Sequence, residues 1–518
     1  MIISARQIKR GRRSYSAMIR IKNTKRLLST AKSSFIHDYS ILPTSIQYRL
    51  PSKEHPALSD SHSNIIRYIL EMGDIEGFDW QKNLQMFQKY PMMTAKRLEK
   101  RTKRPSNVKM LSSDFIEDSL YNPSYGYFAK QATIFQHDEP IVYKELSGQD
   151  EFMQKWISAY DQYDQKMVPV LKQSKENHFQ LTKPSLQLWH TPTELFQPYY
   201  GEALARYLLV NYKLNQYPYN DLTIYEIGGG NGTLMTNILD FIQRTQPEVY
   251  ERTRYNIVEI SSRLFDKQIK NKSKHSHKVH LINQSVLDWN KPVIEPCFVV
   301  ALEVFDNLAH DVVRYDINTH QPYQGYVLID ENNDFKEVFS PELNPWTKHF
   351  LNLREQSKCT VSSLKNHPLN QHRLLQQLKN AFYPLRNNLS DPEFVPTRLL
   401  KLFEILKKYF PNHQLVSSDF STFDNTVPGY CSPLVQTMHK DRMVNVDSYM
   451  VNQGYFDIMF PTNFDVMSEL YRLVVGKLCN TSTHADFLSV WADTEVTTTK
   501  SGENPMLDLY SNASFLYS

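Results

Sequence analysis

The segment Ile224-Tyr225-Glu226-Ile227-Gly228-Gly229-Gly230-Asn231-Gly232-Thr233-Leu234 constrains the fold more than any other part of the chain. An apolar, β-prone run passes directly into glycines, then into an apolar helical stretch from about Leu234 to Ile242. Missing Cβ atoms let a backbone approach a ligand closely and take dihedrals closed to other residues. A strand, a glycine turn and a helix in that order present backbone amides to a nucleotide. The whole chain carries only 15 glycines, and four of them sit in this turn. A dinucleotide fold wants G-x-G-x-x-G, whose third glycine would fall at Thr233, and a P-loop wants Gly-Lys-Ser/Thr. Neither pattern is present.

Short β-rich runs at Leu222–Ile227, Tyr255–Val258, Val279–Ile282, Phe298–Leu302 and Tyr326–Ile329 alternate with helical stretches. That alternation predicts a parallel sheet with covering helices. Acids follow the second and third runs, at Glu259 and Asp288. With Glu226, Gly228, Gly230 and Gly232, the E-x-G-x-G-x-G form resembles motif I of S-adenosylmethionine-dependent methyltransferases. The resemblance implies S-adenosyl-L-methionine as cofactor. It also implies that Glu226 reaches toward the methionine amino group, that Glu259 accepts the ribose hydroxyls, and that Asp288 lies beside the adenine.

Five elements in order extend the likeness to the MidA-like methyltransferases. They are Phe115 through Phe128; Thr191 through Gln197 with Tyr200-Gly201-Glu202; Glu226 through Leu234; Leu302 through Ala309; and Asp419-Phe420-Ser421. The resemblance implies an α/β fold: a seven-stranded Rossmann-like class I methyltransferase sheet with helical N-terminal elements and an inserted helical lid. It further implies a mitochondrial protein-arginine methyltransferase, symmetric in its dimethylation, that supports respiratory complex I assembly and acts on a protein substrate such as a complex I subunit. Departures at Leu302, Ala309 and Ser421 fall on the acceptor side. The changes after the fourth run motivate one rival, a non-catalytic S-adenosylmethionine-binding assembly factor; a second rival is a methyltransferase acting on mitochondrial ribosomal components, RNA or protein.

Glu303 and Asp306 follow the fourth run, where ligands meet the carboxyl ends of strands in open α/β sheets. An arginine acceptor needs carboxylates that grip a planar guanidinium, so these two are the candidate catalytic residues. Glu194 and Gln197 are substrate-side candidates. His310 is read either as a third or as a helix-capping residue. Base N-methyltransferases typically carry Asn/Asp-Pro-Pro-Tyr at this place, and Leu-Glu-Val-Phe-Asp counts against DNA. His275, His277 and His280 read as a solvated Lys-rich loop rather than metal ligands.

The first acidic residue is Asp38, and ten Lys and Arg precede it among serines. That is the composition of a mitochondrial transit peptide, without the apolar core of a secretory signal, and points to the matrix. Net charge is only +4, too little to imply nucleic acid by charge alone. The basic cluster from Lys96 to Arg104 reads as a solvated helix end or linker. Four cysteines without metal or redox spacing exclude a disulfide framework and a Cys-based zinc site. No apolar run is long enough to span a membrane.

The expected divisions are 1–37 transit peptide, 38–105 polar extension, 106–219 helical N-terminal elements, 220–345 cofactor-binding core, and 346–395 insertion or lid. Residues 396–478 complete the core, with a helix after Pro396 and strands at Gln414–Ser418 and Tyr455–Phe460. The tail 479–518 has no readable pattern. Oligomeric state is not legible.

Overall fold

The computed structural model describes residues 47–49, 80–130, 132–136, 139–173, 187–316, 319–360, 364, 367–370, 389–424, 431–439 and 442–518. The expected transit peptide lies outside them, as does part of the expected lid.

A seven-stranded sheet organises the chain. Its strands are β1 (Leu222–Ile227), β2 (Thr253–Glu259), β3 (Val279–Asn283), β4 (Cys297–Leu302), β5 (His413–Phe420), β6 (Asn480–Thr483) and β7 (Ala513–Tyr517). They lie in the order β3-β2-β1-β4-β5-β7-β6. Strands β1 to β5 pair in parallel, whereas β7 runs antiparallel to both β5 and β6. The central strands are buried on both faces, which is why β4 reads Cys-Phe-Val-Val-Ala-Leu without polar alternation. Phe298, Val299 and Val300 are at most 1% exposed, and each contributes about 1.5–3 kcal/mol of burial. The chain winds outward from β1 to β3, then crosses to β4. The order therefore reverses between β1 and β4, and a crevice opens there at the strands' carboxyl ends.

Helices α1 (Tyr199–Asn215), α2 (Thr233–Thr245), α3 (Ser262–Asn271), α4 (Thr397–Tyr409), α5 (Phe464–Val475) and α6 (His484–Trp491) flank the strands. The apolar face expected after Pro396 is buried: Leu399, Leu402, Phe403, Leu406 and Phe410 all enter one core with β4.

Three expectations are corrected. The run at Tyr326–Ile329 belongs to the strand Pro322–Ile329 in a second, six-stranded sheet, and the first residues of that strand, Pro322 to Gln324, pair antiparallel with Asp311–Tyr315. Residues 316–321 are enough for a hairpin but not for the crossover that a parallel neighbour needs. The tail after Cys479 supplies β6, α6 and β7. Its pattern is faint because β6 is a polar edge strand, Asn-Thr-Ser-Thr, of the kind that discourages further pairing. The polar stretches are also less loose than their composition suggests. Gln47–Arg49 pairs with Phe335–Ser340, the segment expected to be mostly helical contains strands at Val108–Leu111, Ala132–Ile134 and Gln187–Trp189, and the helix Pro345–Gln356 packs against α4. The expected strand near Tyr455 narrows to Asp457–Met459, in a three-stranded antiparallel sheet with Leu434–His439 and Arg442–Val446.

Candidate functional site

A cleft of about 1350 Å³, open mouth included, occupies the crevice between β1 and β4. The turn after β1 forms its floor. Gly228 (φ 70°) and Gly230 (φ 52°) both line it in left-handed conformations. A Cβ on Gly230 would come within 3.2 Å of Ile134 Cδ1, and one on Gly228 within 3.3 Å of Val304 Cγ2. Gly232 (φ 84°) caps α2 and is not among the lining residues.

Glu259, at the end of β2, lines the cleft at 2% exposure. Its Oε1 accepts the Ser261 amide at 2.8 Å, and Gln268 Nε2 donates both to its Oε2 (3.1 Å) and to the Gly230 carbonyl (3.0 Å). Gln268 thus fixes the acid against the glycine turn. Burial raises the Glu259 carboxyl to about 7, although these hydrogen bonds oppose the shift. Glu226 is buried but does not line the cleft; Tyr255 Oη donates to it at 2.9 Å, and burial raises it to about 7. Asp288 also stands apart: residues Ser285 to Leu287 line the cleft, while its carboxylate pairs with Lys96 at 2.6 Å.

The opposite wall holds the acids after β4. Glu303 sits at φ 52°, a strained conformation for a residue with a Cβ. Asp306 is 3% exposed, and its Oδ1 meets no partner among the described residues. Burial, then the charge of Asp419, raises both carboxyls well above the usual range; Asp457 and Glu303 add to the effect on Asp306. Asp419, within the Asp-Phe-Ser element, holds this loop through Oδ2, which accepts the amides of Phe305 (2.7 Å) and Asp306 (3.2 Å).

The substrate-side candidates separate. Glu194 is buried behind the glycine turn, where Asn231 Nδ2 (2.7 Å) and Thr233 Oγ1 (2.8 Å) donate to it, and burial raises it to about 7. Neither Glu194 nor Gln197 lines the cleft, although His190 and Thr191 do. His310 stacks on Phe460 (3.9 Å between centroids) and faces a second cavity beside Arg354, His367 and Glu393. Burial lowers it to about 3.

Sequence reading missed Glu117, Tyr121, Arg398 and Asp457, all of which line the cleft. The first two were within reach, since positions i and i+4 share one face of the helix Ser112–Tyr121. Arg398 binds Glu117 (2.6 Å) and Asp114 (3.1 Å). His275 is not solvated, as the loop reading expected, but buried between Tyr250 and Asp240. The basic cluster is exposed, but Lys96 and Arg104 bridge to the fold; the Arg104 guanidinium lies 4.7 Å from the Tyr455 ring. Among the described residues no group of His, Cys, Asp and Glu could hold a metal ion, and no helix is long and apolar enough to cross a membrane.

Residues 203–481 match the family described as "Putative S-adenosyl-L-methionine-dependent methyltransferase". The chain belongs to this family, the MidA-like methyltransferases. Its cofactor is S-adenosyl-L-methionine, and a backbone cradle that a Cβ would fill, with a fixed acid beside it, suits that ligand. The Schizosaccharomyces pombe protein "Protein arginine methyltransferase NDUFAF7 homolog, mitochondrial" is 26% identical over 75% of this chain and 80% of its own. A Saccharomyces cerevisiae protein of the same name is 23% identical over 61% and 77%. A Burkholderia thailandensis protein solved bound to S-adenosyl-homocysteine is similar over 79% of this chain and 87% of that one, at 13% identity and a TM-score of 0.49.

Proposed function

We propose that this methyltransferase transfers methyl groups to protein arginine, as a symmetric dimethylating enzyme of the mitochondrial matrix that supports respiratory complex I assembly. The domain divisions, transit peptide and lid included, belong to the same reading, except that the core takes in residues 479–518, which supply β6, α6 and β7. The observation that carries it is the buried Asp306, one of whose carboxylate oxygens has no partner among the described residues, beside Glu303 in the cleft that the glycine cradle lines. The relatives' names support arginine as the acceptor and mitochondria as the location.

In this reading Gly228 and Gly230 admit the cofactor to the backbone, Glu259 takes the ribose hydroxyls, and Glu226 and Asp288 act behind that first contact. When bound, S-adenosyl-L-methionine supplies an electrophilic methyl on a sulfonium. The protein's own task is positioning. Glu303 and Asp306 accept N–H bonds from the guanidinium and hold its plane. A carboxyl whose proton affinity is raised by burial is suited to receive the proton that the methylated nitrogen releases, and Asp306 Oδ1 is free to take it.

The test is radiolabelled methyl transfer into a mitochondrial extract from cells lacking the protein, followed by amino-acid analysis. Symmetric dimethylarginine is expected. Label in RNA overturns the acceptor assignment, and cofactor binding without any transfer favours the scaffold. Mass spectrometry of the endogenous protein should find a mature amino terminus before Pro51; an intact Met1 defeats the targeting claim.

A further inference from the structure

Asp457 belongs to none of the motifs that mark the cofactor turn, yet it lines the same cleft as Asp306. It opens the short strand Asp457–Met459, outside the seven-stranded sheet, and is 2% exposed. Three contacts pin that strand to the loop after β4, one of them from Asn307 Nδ2 to the Ile458 carbonyl at 3.4 Å. Asn307 Nδ2 donates to Asp457 Oδ1 at 3.1 Å, and the Phe460 amide donates to the Asp306 carbonyl at 2.7 Å. Tyr121 donates to the Asn307 carbonyl at 3.2 Å, and the carboxylates acting most strongly on it are Asp306 and then Asp457. Its ring stacks on Phe128, with centroids 5.3 Å apart and planes 16° from parallel. Asp306 Oδ1 is buried at this wall and meets no partner among the described residues. The lining cation, Arg398, is already engaged by Glu117 and Asp114.

Two buried acids that line one cleft, whose lining guanidinium is already engaged, suit a cationic guest. We propose that Asp457 is the second carboxylate of an acceptor clamp, gripping a different edge of the guanidinium from Asp306 beside the Tyr121–Phe128 stack. This deepens the arginine reading and rests on it. A guanidinium offers N–H donors along several edges of one plane and engages two carboxylates in fixed geometry, whereas an ammonium is a compact point charge. Asp457 therefore sets specificity for arginine over lysine.

Calorimetric titration of the protein–S-adenosylhomocysteine complex with ethylguanidinium, and with n-butylammonium as the lysine-like control, reads the clamp directly. Asp457→Asn keeps an Oδ1 that accepts from Asn307, so the loop stays pinned. Wild type should prefer ethylguanidinium. Asp457→Asn should weaken it about tenfold or more, as loss of a charge-assisted contact requires, and erase the preference. S-adenosylhomocysteine affinity should not change, and Asp457→Glu should restore part of the preference. Wild-type guanidinium affinity and preference in Asp457→Asn, alongside normal methylarginine formation, overturn the clamp alone. A wild-type protein that binds S-adenosylhomocysteine but neither takes ethylguanidinium nor forms methylarginine overturns the arginine reading, and the clamp with it.

Discussion

The two walls of the cleft are built by opposite means. The cofactor wall is backbone: a turn of glycines between β1 and α2, trimmed by one acid that Ser261 and Gln268 hold in place. The acceptor wall is made of side chains carried in from distant segments, Tyr121 and Phe128 from the N-terminal part and Asp457 from the small third sheet. A backbone wall tolerates little, because any Cβ intrudes. A side-chain wall tolerates loss of single groups but changes what it selects.

That contrast is broken most directly at Gly230. Gly230→Val places a β-branched side chain on a residue at φ 52°, against Ile134. Cofactor binding should vanish in calorimetry while the circular dichroism spectrum stays near wild type. Retained binding would mean that the cofactor does not use this turn. Across the cleft, Asp306→Asn should leave cofactor affinity within about threefold and slow methyl transfer by about 2–4 kcal/mol, the cost of losing a charge-assisted contact to the reacting group. Transfer at the wild-type rate would reduce Asp306 to a loop acid.

The same contrast explains what could be read in advance. β1 matched its expected bounds, and β2 to β4 fell within a residue or two of theirs; for β1, β2 and β4 the reason is that buried parallel strands write themselves as apolar runs. Glu259 was legible for the same reason: it ends a strand. Asp457 was not, because nothing local separates it from any other acid at the start of a short strand. Long-range contacts bring it to the cleft: the pairing of Leu434–His439 with Asp457–Met459, the Asn307 bond across 150 residues, and the Phe460 amide on the Asp306 carbonyl. The tail failed differently. β7 acquires its place from β5, and Ala-Ser-Phe-Leu-Tyr alone does not announce a strand inserted between two others.

Acidity sharpens the comparison with a smaller effect. Burial raises Glu226 and Glu259 on the cofactor side, and Asp419 and Asp457 on the acceptor side, to about 7. A carboxyl with a raised folded pKa holds its proton longer in the native state than in the unfolded chain. Unfolding then releases protons, and stability falls as pH rises from the ordinary carboxylate range to about 7. Glu393 does not offset this. Burial would raise it, but Arg354 and His367 hold it down at about 2, so it is ionised throughout that window. Burial lowers His310 to about 3 and His413 and His484 to about 4, which opposes this trend below about pH 6.5, so the thermal midpoint of the cofactor-free protein should decline between about pH 6.5 and about pH 8. Glu259→Gln and Asp457→Asn should each remove a share of the slope, and a flat profile would show that the buried acids are not stored as acids.

The smallest effect lies at the rim. Lys96 bonds Asp288 at 2.6 Å, with side chains 63% and 38% exposed. Exposed pairs of this kind contribute about 0–1 kcal/mol, because water screens them and two long side chains must be ordered. Lys96→Ala should lower the thermal midpoint only slightly and change cofactor affinity by less than about threefold. The informative result is its direction. Removing the lysine frees the Asp288 carboxylate next to the stretch Ser285–Leu287 that lines the cleft. If affinity rises, the acid was being withheld from the adenine by its partner. If affinity falls, the ion pair itself forms the outer edge of the cofactor wall, and the basic cluster around Lys96 serves the cleft rather than solvent.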